Sequence, residues 1–303
     1  MVNTKVNIAG VEFKNPIIAA SGTFGFGREY NEFYDVGKLG GISSKGLTLL
    51  PRQGNAPVRI AETPSGMLNS VGLQNPGVEY FIQNELPFMK STGAVVIANA
   101  AGACEDDYVE ITRVLSATDV DMIELNISCP NVKKGGMAFG VDPDGVEHIV
   151  KAVRKACTKP LIVKLTPNVA NIAKNALAAQ NAGADAVSLI NTVAAMAVDF
   201  KKRKPVLAAV TGGLSGPAVK PIALRMVYEC YKAIDVPIIG MGGIMTGTDV
   251  GEFMLCGATA VQVGTANIFD PYAALTIANE LTKLCESDNI ISVQDLIGGL
   301  KVD

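Results

Sequence analysis

Histidine is all but missing from this chain of 303 residues: His148 stands alone. A single imidazole leaves too little nitrogen for a Cys/His zinc site. The six cysteines, at 104, 129, 157, 230, 256 and 285, include no C-x-x-C pair and no iron–sulfur spacing. Scattered thiols in a chain of this size fit a reducing compartment, where they stay free. No G-x-G-x-x-G follows a strand-like run, so a Rossmann nicotinamide site has no support. The apolar runs stop well short of the ~20 residues a membrane span needs. Met1 to Lys14 alternates polar and apolar residues and lacks the apolar core of a signal peptide. Charge of one sign is lacking too: 26 basic residues against 29 acidic ones give a net charge of -3, with no basic face for nucleic acid. The expectation is a cytoplasmic protein that binds neither nucleic acid nor membrane.

What is present reads as globular throughout, because 49% of residues are hydrophobic and 18% charged with no low-complexity stretch. Residues 1–303 are expected to form one domain, a length that α/β barrels reach routinely. Val6 to Phe13 alternates around Gly10 as a small hairpin. Beyond it, short apolar runs alternate with longer helical segments, the pattern of repeated βα units. The runs are Ile17–Ala20, Gly41–Ser44, Val95–Asn99, Met122–Asn126, Leu161–Leu165, Ala186–Ile190, Ile238–Met241 and Ala260–Val263. Parallel strands buried on both faces read as continuous apolar runs, as most of these do. The fold expected is therefore α/β: a (β/α)8 TIM barrel with an N-terminal hairpin.

Punctuation supports the helices between the strands. Asp142-Pro143 opens a helix over Gly145–Cys157, and Gly183 lies just past one over Ala170–Ala182. Lys159-Pro160 and Val236-Pro237 each introduce a strand. Leu47–Leu73 is too long for an ordinary βα loop, which predicts an inserted excursion after strand two, over the barrel mouth. Asp288 to Asp303 reads as an apolar tail that docks back on the barrel.

Active sites of such barrels form at the C-terminal strand ends. Taken singly, an asparagine after a strand is usually a turn former, a cysteine in an apolar run is packing, and a strand-end lysine snorkels to water. Here Ser21, Lys45, Asn99, Asn126, Cys129, Lys164, Asn191 and Thr192 all fall on one rim. Gly242-Gly243 and Gly264 follow strands seven and eight, where backbone N–H groups commonly build a phosphate site. Gly212 to Pro217 adds another close-approach loop ahead of a helix. A phosphorylated cofactor or substrate is the inference. His148 reads as an ordinary helix residue, and Glu105-Asp106-Asp107 as an acidic helix start. Lys201 to Lys204 reads as a solvated loop that could help dock an electron-transfer partner. The cysteines other than Cys129 read as packing residues in or beside helices.

The motifs Ser21-Gly22-Thr23-Phe24-Gly25, Ser44-Lys45-Gly46, Asn69 to Gly77, Asn126-Ile127-Ser128-Cys129-Pro130-Asn131, Thr211 to Gly216 and Gly240 to Ile244 resemble class 1 dihydroorotate dehydrogenases. The likeness covers about residues 5 to 290, and the Asn-x-Ser-Cys-Pro-Asn element is highly specific. Val71 to Gly77 and the loop Lys133 to Gly140 are most similar to the type 1B catalytic subunit. Cysteine rather than serine at 129 argues against the membrane-bound class 2.

The resemblance implies FMN in this chain and oxidation of dihydroorotate to orotate in pyrimidine (UMP) synthesis. It further implies an electron-transfer subunit carrying FAD and [2Fe–2S], which delivers electrons to NAD, in a heterotetramer of two catalytic and two partner chains. Cys129 would remove the C5 proton while C6 gives hydride to flavin N5, and Val132–Gly140 would form a mobile lid over it. The flavin would lie on Ser21, Lys45, Gly46, Asn99, Asn126, Lys164, Ile190, Gly216, Gly242, Gly243, Gly264 and Thr265. The substrate would lie on Lys45, Asn69, Ser70, Val71, Gly72, Leu73, Asn126, Asn131, Asn191 and Thr192. Other readings stay open at this point: a type 1A homodimer reducing fumarate, a dihydrouridine synthase, a flavin-free barrel with a nucleophilic Cys129, and a non-catalytic binding barrel.

Overall fold

A computed structural model describes residues 2–128 and 139–302. The N-terminal run forms an antiparallel hairpin of β1 (Val6–Ile8) and β2 (Val11–Phe13), turning through Ala9 and Gly10 at positive φ. The next strands are β3 (Ile17–Ala19), β4 (Gly41–Ser43), β5 (Ile60–Thr63), β6 (Gly66–Asn69), β7 (Val95–Ala100), β8 (Met122–Asn126), β9 (Leu161–Lys164) and β10 (Ala186–Leu189). They are followed by β11 (Val193–Ala195), β12 (Val198–Asp199), β13 (Lys204–Pro205), β14 (Gly212–Ser215), β15 (Ile238–Met241) and β16 (Ala260–Val263).

Strands β3, β4, β7, β8, β9, β10, β15 and β16 close, in that order, into a parallel barrel. They are the eight apolar runs expected, each within one residue of the expected bounds. Helices alternate with them: α1 (Arg28–Asn31), α2 (Val78–Tyr80), α3 (Leu86–Ser91), α4 (Glu105–Ser116), α5 (Pro143–Arg154), α6 (Ile172–Asn181), α7 (Lys220–Tyr231), α8 (Gly247–Leu255), α9 (Ala266–Phe269) and α10 (Ala273–Ser287). No described helix is long and apolar enough to cross a membrane.

Local chemistry sets the helix ends. In α5 the Asp142 carboxylate accepts from Gly145 N at 2.8 Å, with Pro143 in the first turn. Val146, Ile149, Val150 and Val153 make the buried stripe at helical spacing. The helix ends at Arg154 rather than at the expected Cys157, because the Arg154 guanidinium bonds the carbonyls of Cys157 and Lys159 and closes the turn. Helix α6 starts at Ile172, not at Ala170, where the Asn171 side chain caps Lys174 N at 3.1 Å.

The excursion after β4 contains the β5–β6 hairpin, and a second excursion after β10 contributes β11 and β14. Together they form a four-stranded antiparallel sheet in the order β11-β14-β6-β5. This corrects the loop expected at Gly212 to Pro217: Gly212–Ser215 is a strand, because Met67–Asn69 supplies its ladder partners. The C-terminal tail does dock: Val293 is fully buried, and Gly298 N donates to Met254 O at 2.9 Å. One packing expectation fails. Cys157, Cys230 and Cys285 are buried, but Cys104 is exposed, because it sits at the solvent-facing N-cap of α4.

Candidate active site

Side chains alternate along a strand, so residues two apart share a face. Stepping two residues back from Lys45, Asn126, Ile190 and Gly264 at the rim reaches Ser43, Glu124, Ser188 and Gln262. These four lie on alternate barrel strands, β4, β8, β10 and β16, and form one interior layer of the kind barrels stack. The layer is polar and shut off from water, with Glu124 at its centre, 0% exposed. Glu124 Oε2 accepts from Ser43 Oγ at 2.9 Å and from Asn99 Nδ2 at 2.6 Å. Its Oε1 accepts from Ser188 Oγ at 2.8 Å and from Gln262 Nε2 at 2.6 Å. Above it, on β9, Lys164 Nζ lies 3.8 Å from Glu124 Oε2 and 3.4 Å from Ser21 Oγ. Burial alone would raise the Glu124 carboxyl. The Lys164 charge and the bonds from Ser188, Asn99 and Gln262 outweigh burial and hold it below the ordinary carboxylate value.

Over this floor opens a cavity of about 750 Å³, within the range of small-molecule sites. Its walls are the C-terminal strand ends of the barrel and the mouth sheet. It is lined by Ser21, Lys45, Gly46, Asn99, Asn126, Lys164, Ile190, Gly216, Gly242, Gly243, Gly264 and Thr265. From the excursions and the rim come Asn69, Ser70, Val71, Gly72, Leu73, Asn191 and Thr192. Every described residue singled out from the sequence for cofactor or substrate therefore meets at one place. Cys129, Asn131 and the lid segment as far as Ala138 lie outside the described residues.

Two features of the wall bear on ligand chemistry. Asparagines form a linked row: Asn126 Nδ2 donates to Asn99 Oδ1 at 3.4 Å, Ser128 Oγ to Asn126 Oδ1 at 2.7 Å, and Asn191 Nδ2 to Ser128 Oγ. The backbone N–H groups of Gly216, Gly242, Gly243, Gly264 and Thr265 form no hydrogen bond among the described residues. Lys45 is half-buried, and its ammonium likewise has no hydrogen-bond or ion-pair partner among them. Burial, with the nearby Arg59 charge, pulls its ammonium below the usual lysine value.

The mouth sheet is locked to the rim. Thr265 Oγ1 donates to Ser215 Oγ of β14 at 2.8 Å, and within the mouth sheet Asn69 Nδ2 donates to Gly213 O at 3.5 Å. Sequence reading missed Glu124, Gln262, Ser128 and Asn168. The signal for the first two was available, since each stands two residues behind a rim position. Asn168 bonds Thr192 O at 3.1 Å and Ala194 N at 2.8 Å and so holds the start of β11. Nothing in a lone asparagine two residues past Thr166 announces that partner.

The family model for dihydroorotate dehydrogenase matches residues 3–285 of the chain. The catalytic subunit of dihydroorotate dehydrogenase B (NAD(+)) from Caldicellulosiruptor saccharolyticus is 54% identical over 301 residues, covering 99% of this chain and 100% of that one. The subunit of the same name from Petrotoga mobilis is 55% identical over 298 residues, covering 98% and 99%. That from Thermoanaerobacter pseudethanolicus is 51% identical over 302 residues, covering 100% of both chains. With the barrel and its rim cavity in place, the match over nearly the whole length means that this chain belongs to the dihydroorotate dehydrogenase family.

Proposed function

We propose that this chain is a catalytic subunit that oxidises (S)-dihydroorotate to orotate on FMN, the step that introduces the C5=C6 double bond of the pyrimidine ring on the way to UMP. The observation that carries the reading is the single cavity where a buried, compensated Lys164, a row of amides and several free backbone N–H groups converge.

Those groups fit a flavin mononucleotide. The N–H groups of Gly216, Gly243, Gly264 and Thr265, unbonded among the described residues, suit phosphate oxygens, which take several donors at once. Lys164 offers a fixed cation to the ring edge where reduced flavin gathers negative charge. Ser21, Gly46, Asn99, Ile190 and Gly242 complete that half of the cavity. A bound flavin supplies a two-electron acceptor for the hydride that leaves C6.

The substrate half needs donors, acceptors and a cation, because orotate is a planar, amide-bearing anion. Asn69, Asn126, Asn191 and Thr192 can both donate and accept, and beside them lies the Lys45 ammonium, unpaired among the described residues. Ser70, Val71, Gly72 and Leu73 form the adjoining wall. Cys129 and Asn131 follow Ser128 directly in sequence, and Ser128 lines the cavity. In the proposed step the Cys129 thiolate takes the C5 proton, which is acidified by its neighbouring carbonyl.

The electrons leave through a second subunit bearing FAD and [2Fe–2S], in an assembly of two catalytic and two partner chains. The relatives' names support an NAD-linked partner, since each includes the words catalytic subunit and NAD(+). The compartment is the cytoplasm, in keeping with five free cysteines among the described residues.

The test is anaerobic mixing of the purified yellow protein with dihydroorotate. The flavin band should bleach, and Cys129→Ala should keep the band but lose the bleaching near neutral pH. A colourless protein sinks the flavin reading, and an alanine variant that bleaches at the normal rate sinks the base. Reoxidation by fumarate alone, with no partner copurifying, would assign the acceptor to the type 1A chemistry instead.

A further inference from the structure

Glu124 has no place in the mechanism above, yet it is the most heavily bonded side chain under the site. A fully buried carboxylate costs several kcal/mol of desolvation even after relaxation. Four donors and one ammonium, from five different barrel strands, are spent on keeping this one ionised. Ser43 and Ser188 do not reach the cavity, whereas Gln262 does. Asn99 and Lys164 also line the cavity.

The bonds have a direction. By accepting from Asn99 Nδ2, Glu124 leaves Asn99 Oδ1 turned to Asn126 Nδ2, and Asn126 in turn holds Ser128 and Asn191. By facing Lys164 Nζ at 3.8 Å, it compensates a cation that is itself 5% exposed. Both halves of the cavity floor are thus oriented from one carboxylate beneath them.

We propose that Glu124 is a positioning residue for this site: a carboxylate beneath the barrel floor that holds the Lys164 ammonium in place and sets the amide row of Asn99 and Asn126 before any ligand binds. The proposal rests on reading the cavity as the flavin site. Preorganised charge of this kind need not be rearranged during the reaction.

The experiment is a double-mutant cycle on apoprotein, read as FMN affinity by quenching of flavin fluorescence and as the midpoint potential of the reloaded flavin. Glu124→Gln should weaken FMN binding at least tenfold and displace the potential. Lys164→Met should also weaken binding. In the Lys164→Met background, Glu124→Gln should leave the potential where Lys164→Met put it, since no ammonium is left for the carboxylate to place, while the weakening passed through Asn99 and Asn126 remains. A Glu124→Gln change that displaces the potential equally with and without Lys164, or a Glu124→Gln protein that binds FMN like wild type, overturns the proposal.

If Glu124→Gln alone fails to fold while the double variant folds, the carboxylate is there for the lysine and the proposal stands. If neither folds, Glu124 is purely structural and the proposal falls. A wild-type apoprotein that does not take up FMN at all would instead refute the flavin reading, a distinguishable result.

Discussion

Tyr108 Oη donates to the carbonyl of Asn126 at 2.9 Å, pinning helix α4 to the last residue of strand β8. Tyr108 is 1% exposed, and its ring meets Phe139 edge-on with centroids 6.0 Å apart. The same side chain therefore touches both described flanks of the segment that carries Cys129. Tyr108→Phe keeps the ring and strands the carbonyl, which should cost about 1–3 kcal/mol in denaturant unfolding. Turnover of dihydroorotate should fall more than flavin affinity does. Unchanged unfolding and unchanged turnover together would show that the hydroxyl anchors nothing.

Lys45 carries a charge that burial disfavours, and burial with the Arg59 charge pulls its ammonium below the ordinary lysine value. At pH values under the folded pKa both states hold the proton, so the full desolvation cost weighs against folding. As pH rises through the folded pKa the native lysine releases its proton first, and the cost fades until the unfolded value is reached. Lys45→Met in the apoprotein should therefore melt higher than wild type at pH 7, with the gap narrowing as pH approaches 10. Calorimetry across that range decides it, and a gap that widens with pH contradicts the sign.

Gly213 lies against Thr192. A Cβ there would sit 1.9 Å from Thr192 Oγ1, far inside contact distance, and the obstacle is a branched side chain close to its own backbone. Gly213→Ala should push apart β14 and β11 and cost about 1–3 kcal/mol. Because Thr192 lines the cavity, KM for dihydroorotate should rise as well. The Gly213→Ala, Thr192→Ser double variant would still carry the close oxygen and should not recover. Thr192→Ala removes the close oxygen but leaves its own Cβ at 2.4 Å, so recovery should be partial at most.

Thiol labelling should follow burial. Burial, with the Glu229 charge, pushes the Cys230 thiol up to about 12, and burial also raises Cys157, Cys256 and Cys285. Cys104 is exposed at the start of α4. Brief alkylation of native protein at pH 8, mapped by mass spectrometry, should mark Cys104 first among these five, and Cys230 only after unfolding. Rapid native labelling of Cys230 would mean that α7 opens easily.

The barrel was legible in the sequence because a parallel strand covered by helices needs apolar side chains on both faces, and that need writes itself as a local run. The rim was legible for a related reason: polar types end such runs only where the strand leaves the core. Lys45, Asn99, Asn126 and Lys164 could be placed on one rim before any coordinates. The mouth sheet was not legible. Its strands are half-buried at most positions, and β6 meets β14 across 146 residues, taking Leu68 and Leu214 as the pair, so no local pattern encodes the ladder.

Glu124 marks the boundary most clearly. Residue type alone makes a carboxylate in Met122–Asn126 an oddity within an apolar run, and alternation puts it on the face of Asn126. Whether it can stay ionised there depends on Ser43, Asn99, Lys164, Ser188 and Gln262, up to 138 residues away, arriving together. Local periodicity determined which elements form and which face they bury. Only closure of the barrel decided that five strands would pool their donors on one buried charge, because desolvation is a cost that tertiary neighbours alone can offset.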